Sequence, residues 1–146
     1  KSVFFCTQAA ARIMRTQGTG GRVVNISSGA SRSAFSNATP YNASKGGLNM
    51  LTAGLAVELG PHNITVNAVG PGTIDTPLLK DVVKDKAFRA KVLSRTPLGR
   101  FGKPEEIAAI VAWLVSDEAS YVTGTTVFAD GGRLPLNYVM PVQDAD

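Results

Sequence analysis

Apolar positions recur along the chain in two alternating rhythms. Residues 1–17 carry Val3, Phe4, Cys6, Ala9, Ala10, Ile13 and Met14 at three- and four-residue spacing, which predicts an amphipathic helix. Gly18, Gly20 and Gly21 end it. Val23-Val24-Asn25-Ile26 is a β-branched run after glycine and predicts a buried parallel strand, closed by Ser27 and Ser28. A polar loop runs to Pro40. The helical spacing resumes over 41–59, with Leu48, Leu51, Leu55 and Leu59 on one stripe. Ile64 to Val69 predicts a second strand, broken by Gly70-Pro71-Gly72. Residues 75–95 predict one or two short helices. Pro104 opens another, with Glu105 and Glu106 where acids suit the helix dipole. Ile107, Ile110, Val111 and Leu114 form its inward stripe. Thr125 to Phe128 predicts a third strand, ended by Asp130-Gly131-Gly132.

This alternation of helix and strand specifies an α/β fold with a parallel sheet. Crossovers in such a sheet are right-handed, so the three strand ends share one rim: Ser28, Gly70 to Gly72, and Asp130 to Gly132. Tyr41 returns to that rim, where ligands of open α/β sheets bind. No internal repeat, low-complexity tract or linker divides the chain. It reads as a single domain over 1–146, with 133–146 as a tail.

Composition narrows the class. Of 146 residues, 44% are hydrophobic and 18% charged, which argues against disorder. The longest apolar run, Ile107 to Val115, is too short to span a bilayer. No secretory signal is visible, and one cysteine excludes an internal disulfide framework, which points to a reducing, cytoplasmic setting. Cys6 and His62 alone give no basis for a zinc site. Cys6 reads as core, His62 as a turn residue, Trp113 as core or interface, and Asp130 as a turn former.

The net charge is +4, much of it between Lys80 and Arg100: Lys80, Lys84, Lys86, Arg89, Lys91, Arg95 and Arg100, interrupted by Asp81 and Asp85. Only Phe88 lies among them, so a nucleic-acid interface is not supported. The stretch reads as a solvated helical face, or as a basic flap over an anionic cofactor or substrate. The first residue is Lys1, and the apolar pattern is already running there with no cap before it. The sequence therefore reads as a fragment or a processed piece.

Candidate chemistry lies on the rim. Tyr41 and Lys45 are four apart and share one helical face. An ammonium close to a phenol favours the phenolate, drawing the tyrosine down from about 10 toward working pH. Such a tyrosine can exchange a proton with an alcohol or a carbonyl. Ser28, thirteen residues upstream, could hold the substrate oxygen through the charge change. Tyr-x-x-x-Lys alone is a weak signal, equally read as an exposed tyrosine beside a solvated lysine. The serine at a strand end and the adjacent Gly46-Gly47 sharpen it. Each of those glycines costs about 1 kcal/mol inside a helix, so close approach of a backbone or a ligand is expected there.

At larger scale the chain resembles the short-chain dehydrogenase/reductase family. The resemblance rests on Asn25-Ile26-Ser27-Ser28, Tyr41-Asn42-Ala43-Ser44-Lys45, Asn67 to Thr76, Pro104 to Ala108, Ser116 to Gly124, and Asp130-Gly131-Gly132. These motifs follow one another in the family's order from Val3 to Gly132. It implies a doubly wound, Rossmann-like sheet and NAD- or NADP-dependent interconversion of alcohols and carbonyls. It also implies roles: Tyr41 as general acid/base, Lys45 tuning it and holding the nicotinamide ribose, and Ser28 orienting the substrate oxygen. Pro71 and Gly72 would lie along the nicotinamide. The Ile74 backbone would bind the carboxamide, and the Thr76 hydroxyl the carboxamide or a phosphate. The family's glycine-rich phosphate turn, its Asn-Asn-Ala-Gly segment and its tetrad asparagine have no counterpart in this sequence. The chain is thus similar to the C-terminal half of the fold, and the choice between NAD and NADP is not legible.

The resemblance further implies a homodimer or homotetramer built on the first helix and the 41–59 helix. The tail, with Leu134, Leu136, Tyr138, Val139 and Met140, reads as disordered, as a strap on a neighbouring subunit, or as a trim on a substrate pocket. Comparable tails in sugar dehydrogenases of the family hint at a small polyol or glucose-like substrate. The alternatives are a 3-oxoacyl-carrier-protein reductase, whose acidic carrier would suit the basic stretch, and a non-catalytic dimerisation module.

Overall fold

Local chemistry sets the element boundaries in a computed structural model that describes residues 1–79 and 84–142. The first helix, α1 (Ser2–Gln17), stops at Gly18, which takes a left-handed conformation (φ 72°) and donates its N–H back to Met14. Pro40 lies in the first turn of α2 (Thr39–Leu59), and Gly60-Pro61 follows it into a single 3-10 turn that carries the exposed His62. Asp85 caps α3 (Lys86–Leu93) by accepting the Ala87 and Phe88 N–H groups. Pro104 opens α4 (Pro104–Val115), where the Glu106 carboxylate reaches back to the Lys103 N–H at 2.7 Å. Lys80 and Asp81 of the basic stretch lie outside the described residues. Of the region read as one or two short helices, α3 and a 3-10 turn over Pro77–Leu79 are formed.

Three strands, β1 (Gly21–Ile26), β2 (Ile64–Pro71) and β3 (Thr126–Ala129), form one parallel sheet in the order β1-β2-β3. The register pairs Gly21 with Ile64 through Ile26 with Val69, and Ala68 with Thr126 through Pro71 with Ala129. Central β2 is buried from Ile64 to Gly70. The observed strands start earlier at β1, end later at β2 and shift one residue at β3 relative to the apolar runs. Hydrogen bonding continues into glycine, proline and alanine that hydropathy does not flag.

One core cluster joins Ala11 of α1, Leu55, Ala56 and Leu59 of α2, and Ile64 and Val66 of β2, with Met14 and Leu51 packed against it. The α4 helix packs against β1 and β2, with Leu114 fully buried. This parallel sheet with its packed helices is the α/β fold that the alternation implies, in the Rossmann-like form that the family resemblance implies. Among the described residues, no helix is long and apolar enough to cross a membrane.

The inward face of α1 differs from the expected stripe. Thr7 and Ala11 are buried, whereas Cys6 is exposed and Phe4 and Ile13 are 39% and 60% exposed. The stripe that faces the sheet runs instead through Thr7, Ala11 and Met14 at helical spacing, with Met14 over Gly21, where a Cβ would overlap its sulfur. Trp113 is 39% exposed, so it is not core.

The tail folds back on its own chain as far as it is described. The Met140 N–H donates to the Ser94 carbonyl at the end of α3 at 2.7 Å. Residues 143–146 of the tail lie outside the described residues.

Candidate active site

The parallel sheet delivers its strand ends to one rim. Beyond Ile26, the Ser27 N–H still reaches the Val69 carbonyl at 2.6 Å. Ser28 then turns the chain: its hydroxyl accepts the Ala30 N–H at 3.1 Å and caps a short 3-10 turn over Gly29–Ser31. With one lone pair engaged by that cap, the hydroxyl hydrogen is available to a ligand. The turn passes near Pro71, whose carbonyl is 3.8 Å from where a Gly29 Cβ would stand. Gly72 leaves no such room. A Cβ there would lie 2.7 Å from the Asp130 Cα, so only glycine lets the ends of β2 and β3 close up. Asp130 is itself a turn former, its two oxygens accepting the Gly132 and Leu134 N–H groups at 2.9 Å each.

Helix α2 brings the other two residues. Tyr41 and Lys45 lie on one face, with the Lys45 ammonium 5.8 Å from the Tyr41 ring centroid. The same ammonium donates to the Ile26 carbonyl at 2.8 Å. One charged group therefore spans the phenol-bearing turn of α2 and the end of β1. Tyr41 is 45% exposed, so its oxygen is open to a ligand.

A polar network that the sequence reading missed holds this geometry. Ser27 Oγ donates to Asn49 Oδ1 at 2.5 Å, Asn49 Nδ2 donates to Ser31 Oγ at 2.7 Å, and Ser31 Oγ donates to the Ser28 carbonyl at 2.6 Å. Asn49 thus ties both sides of the Ser28 turn to α2. Its signal was its place four residues after Lys45, a polar residue on the same face among leucines. Asn42, next to Tyr41, pins the preceding loop by bonding the Phe35 N–H and carbonyl at 3.3 and 2.9 Å.

Ile74 and Thr76 run on from Gly72 toward a different neighbour. Ile74 forms a parallel bridge with Gly102. Its bonds are Gly102 N–H to the Thr73 carbonyl at 3.0 Å and Asp75 N–H to the Gly102 carbonyl at 2.8 Å. In a parallel bridge the central residue's own N–H and carbonyl point the opposite way, so those of Ile74 face away from Gly102. The Thr76 carbonyl accepts the Leu79 N–H at 2.9 Å. These two residues make no hydrogen bond with Ser28, Tyr41 or Lys45 among the described residues.

A cavity of about 470 Å³ lies beyond Ile74, lined by Pro97, Leu98, Ile107, Ile110 and Phe128 among others. Its charged pair, Arg100 and Glu106, is mutually engaged through two bonds of 2.9 and 2.6 Å. That pairing and the Lys103 N–H hold the Glu106 carboxyl down to about 2.

The family profile described as enoyl-(acyl carrier protein) reductase matches residues 1–133. L-rhamnose 1-dehydrogenase (NAD(P)(+)) of Azotobacter vinelandii is 43% identical over 129 residues, covering 88% of this chain and 50% of its own length. 5-keto-D-gluconate 5-reductase of Escherichia coli K12 is 42% identical over 133 residues, covering 91% and 52%. The crystal structure of a gluconate 5-dehydrogenase from Burkholderia cenocepacia, in complex with NADP and tartrate, superposes with a TM-score of 0.87 at 36% identity, covering 92% and 52%. The chain spans about half the length of the curated relatives it matches. Matches of this identity across almost all of the chain, together with the shared sheet, show that it belongs to the short-chain dehydrogenase/reductase family.

Proposed function

We propose that this chain carries the proton-transfer site of an NAD- or NADP-dependent oxidoreductase interconverting a secondary alcohol and a ketone, with a sugar or polyol as the substrate class. The observation that carries the reading is the placement of Lys45, whose ammonium joins Tyr41 on α2 to the end of β1 that leads into Ser28. The relatives named for rhamnose and ketogluconate support the substrate class.

In this reading Ser28 donates its free hydroxyl hydrogen to the substrate oxygen. The Tyr41 oxygen takes the proton of the alcohol in one direction and returns it to the carbonyl oxygen in the other. Lys45, beside the ring, stabilises negative charge as it develops on the phenol oxygen. Asn49 keeps the Ser28 turn at a fixed distance from α2. The nicotinamide, when bound, supplies the hydride exchange with the substrate carbon. The residues fit its carboxamide end: the Ile74 N–H and carbonyl face away from their bridge partner, with the Thr76 hydroxyl nearby in sequence. Pro71 and Gly72 would form the floor between that end and the cluster, and Lys45 would hold the ribose hydroxyls.

A homodimer or homotetramer is part of this proposal. Phe5 and Ile13 of α1 and Met50 and Val57 of α2 are all more than half exposed, an apolar surface that self-association would cover.

The test is a nicotinamide-absorbance assay of the full-length protein carrying this chain. The panel holds aldoses, polyols, sugar acids, acetoin and a carrier-bound 3-oxoacyl substrate, each with both cofactors. Turnover of a free alcohol or ketone that is lost in Tyr41→Phe supports the reading. Turnover confined to the carrier-bound substrate would favour the carrier-protein reductase, and cofactor binding with no turnover at all would favour a non-catalytic module.

A further inference from the structure

Three loops of the rim converge on Arg133, a cation that makes no salt bridge among the described residues. Arg133 follows the Asp130-Gly131-Gly132 turn, and its guanidinium carbon lies 5.4 Å from the centroid of the Phe35 ring. Phe35 is fixed through both backbone groups to Asn42, the residue after Tyr41. Phe35 thus links the guanidinium, through Asn42, to the helical turn that bears the proposed acid/base. Arg95, just after α3, is near enough to oppose its charge.

Among the described residues Arg133 makes no salt bridge. Asp130 attracts it, but both carboxylate oxygens already accept backbone N–H groups. Partial burial, followed by the repulsion of Arg95, pushes the Arg133 guanidinium below its ordinary range. Arginine nevertheless stays protonated. A half-desolvated cation with a like charge beside it is unfavourable until an anion is supplied. Its planar fork fits both oxygens of a carboxylate.

We propose that Arg133, with Arg95 behind it, recognises a carboxylate on the substrate, so that the site favours a polyhydroxy acid over the corresponding neutral sugar. The inference rests on the reading of Tyr41 as acid/base, whose helical turn Phe35 ties to Arg133. Phe35 serves as the aromatic platform against which the guanidinium rests. A cofactor phosphate would present the same anionic chemistry, and the experiment separates the two sources.

The full-length protein is assayed with D-gluconate and its keto acid against D-glucose and sorbitol, as wild type, Arg133→Met and Arg133→Lys. Met keeps an unbranched apolar stem over Phe35, and Lys keeps the charge. Arg133→Met is expected to raise KM for the acids about tenfold to a hundredfold, the loss of one charge-assisted contact. Its kcat on the acids and its action on the neutral substrates should hold, and Arg133→Lys should recover part of the loss. Equal losses on acids and neutral sugars would overturn the proposal. So would a weakened cofactor Kd with an unchanged acid KM, which assigns Arg133 to a phosphate. Turnover of neutral alcohols with rejection of every acid would overturn this inference while leaving the proposed activity standing. If no substrate turns over, the proposed activity fails, and calorimetric titration of D-gluconate decides the inference by itself. Binding to wild type that is lost in Arg133→Met and partly kept in Arg133→Lys supports it. Equal binding, or none, overturns it.

Discussion

Lys45 and Ile26 are joined by a charged hydrogen bond of 2.8 Å, from the ammonium on α2 to the carbonyl at the end of β1. Ile26 is the last residue of β1 in register with β2, where it faces Val69. Lys45 therefore fixes the point at which the strand gives way to the Ser28 turn, and it does so beside the Tyr41 ring.

Lys45→Met keeps the stem and removes this bond. The site is open to water, so the expected loss of stability is modest, about 1 kcal/mol. Cofactor affinity should fall by more, since the ribose contact goes with it. Thermal melts with and without nucleotide measure both. Unchanged melting and unchanged affinity would return Lys45 to the role of a solvated surface lysine.

Tyr41→Phe keeps the ring and removes the titratable oxygen. Turnover is expected to fall about a hundred- to ten-thousand-fold, the usual worth of a positioned acid/base. Cofactor binding should survive. Steady-state kinetics beside a nucleotide titration check this, and wild-type turnover in the variant would refute the role.

Asn49→Ala removes the link between α2 and both sides of the Ser28 turn. The buried Ser27 hydroxyl loses its partner, which costs about 1–3 kcal/mol. The denaturant midpoint should drop accordingly. Because Ser28 is then less well held, kcat should fall with little change in cofactor affinity.

Glu106 makes stability depend on acid pH. Its carboxyl is held at about 2, below the ordinary value of 4.5, first by the hydrogen bond from Arg100 and then by the Lys103 N–H. A depressed carboxyl contributes its full stabilisation above the unfolded value and loses it as pH falls through the folded one. The difference in melting temperature between wild type and Glu106→Gln should therefore be largest near neutrality and shrink between about pH 5 and about pH 2. A difference that stayed constant across that interval would remove the ion pair as its cause.

Gly72 and Gly47 should respond in opposite directions to alanine. At Gly72 the new methyl meets Asp130 backbone at 2.7 Å, so a loss of about 1–3 kcal/mol is expected. At Gly47 nothing lies within 4 Å, so the helix should gain up to about 1 kcal/mol. If Gly47→Ala also weakens cofactor binding or self-association, the space at Gly47 belongs to that ligand or partner. Calorimetric titration and sedimentation report on the two.

Much of this molecule is written locally. The leucine stripe of α2, the β-branched run of β2 and the Pro104 start of α4 each reflect a short-range preference, and each element formed where its pattern lay. Tyr41 and Lys45 are neighbours by helical periodicity alone, and Asp130 before two glycines dictates its own turn. What only the tertiary structure decided depends on approach between segments far apart in sequence. The stripe of α1 could not show that Met14 would pack over Gly21 while Cys6 and Ile13 stay outside. Nor could the sequence show that Asn49 would bridge Ser27 and Ser31, or that Arg133 would reach Phe35. The Asn49 and Arg133 contacts join residues from 18 to 98 positions apart, and hydropathy periodicity carries no information at that range. They are set by how closely the helices and loops settle on the sheet, which is a property of packing rather than of any one segment.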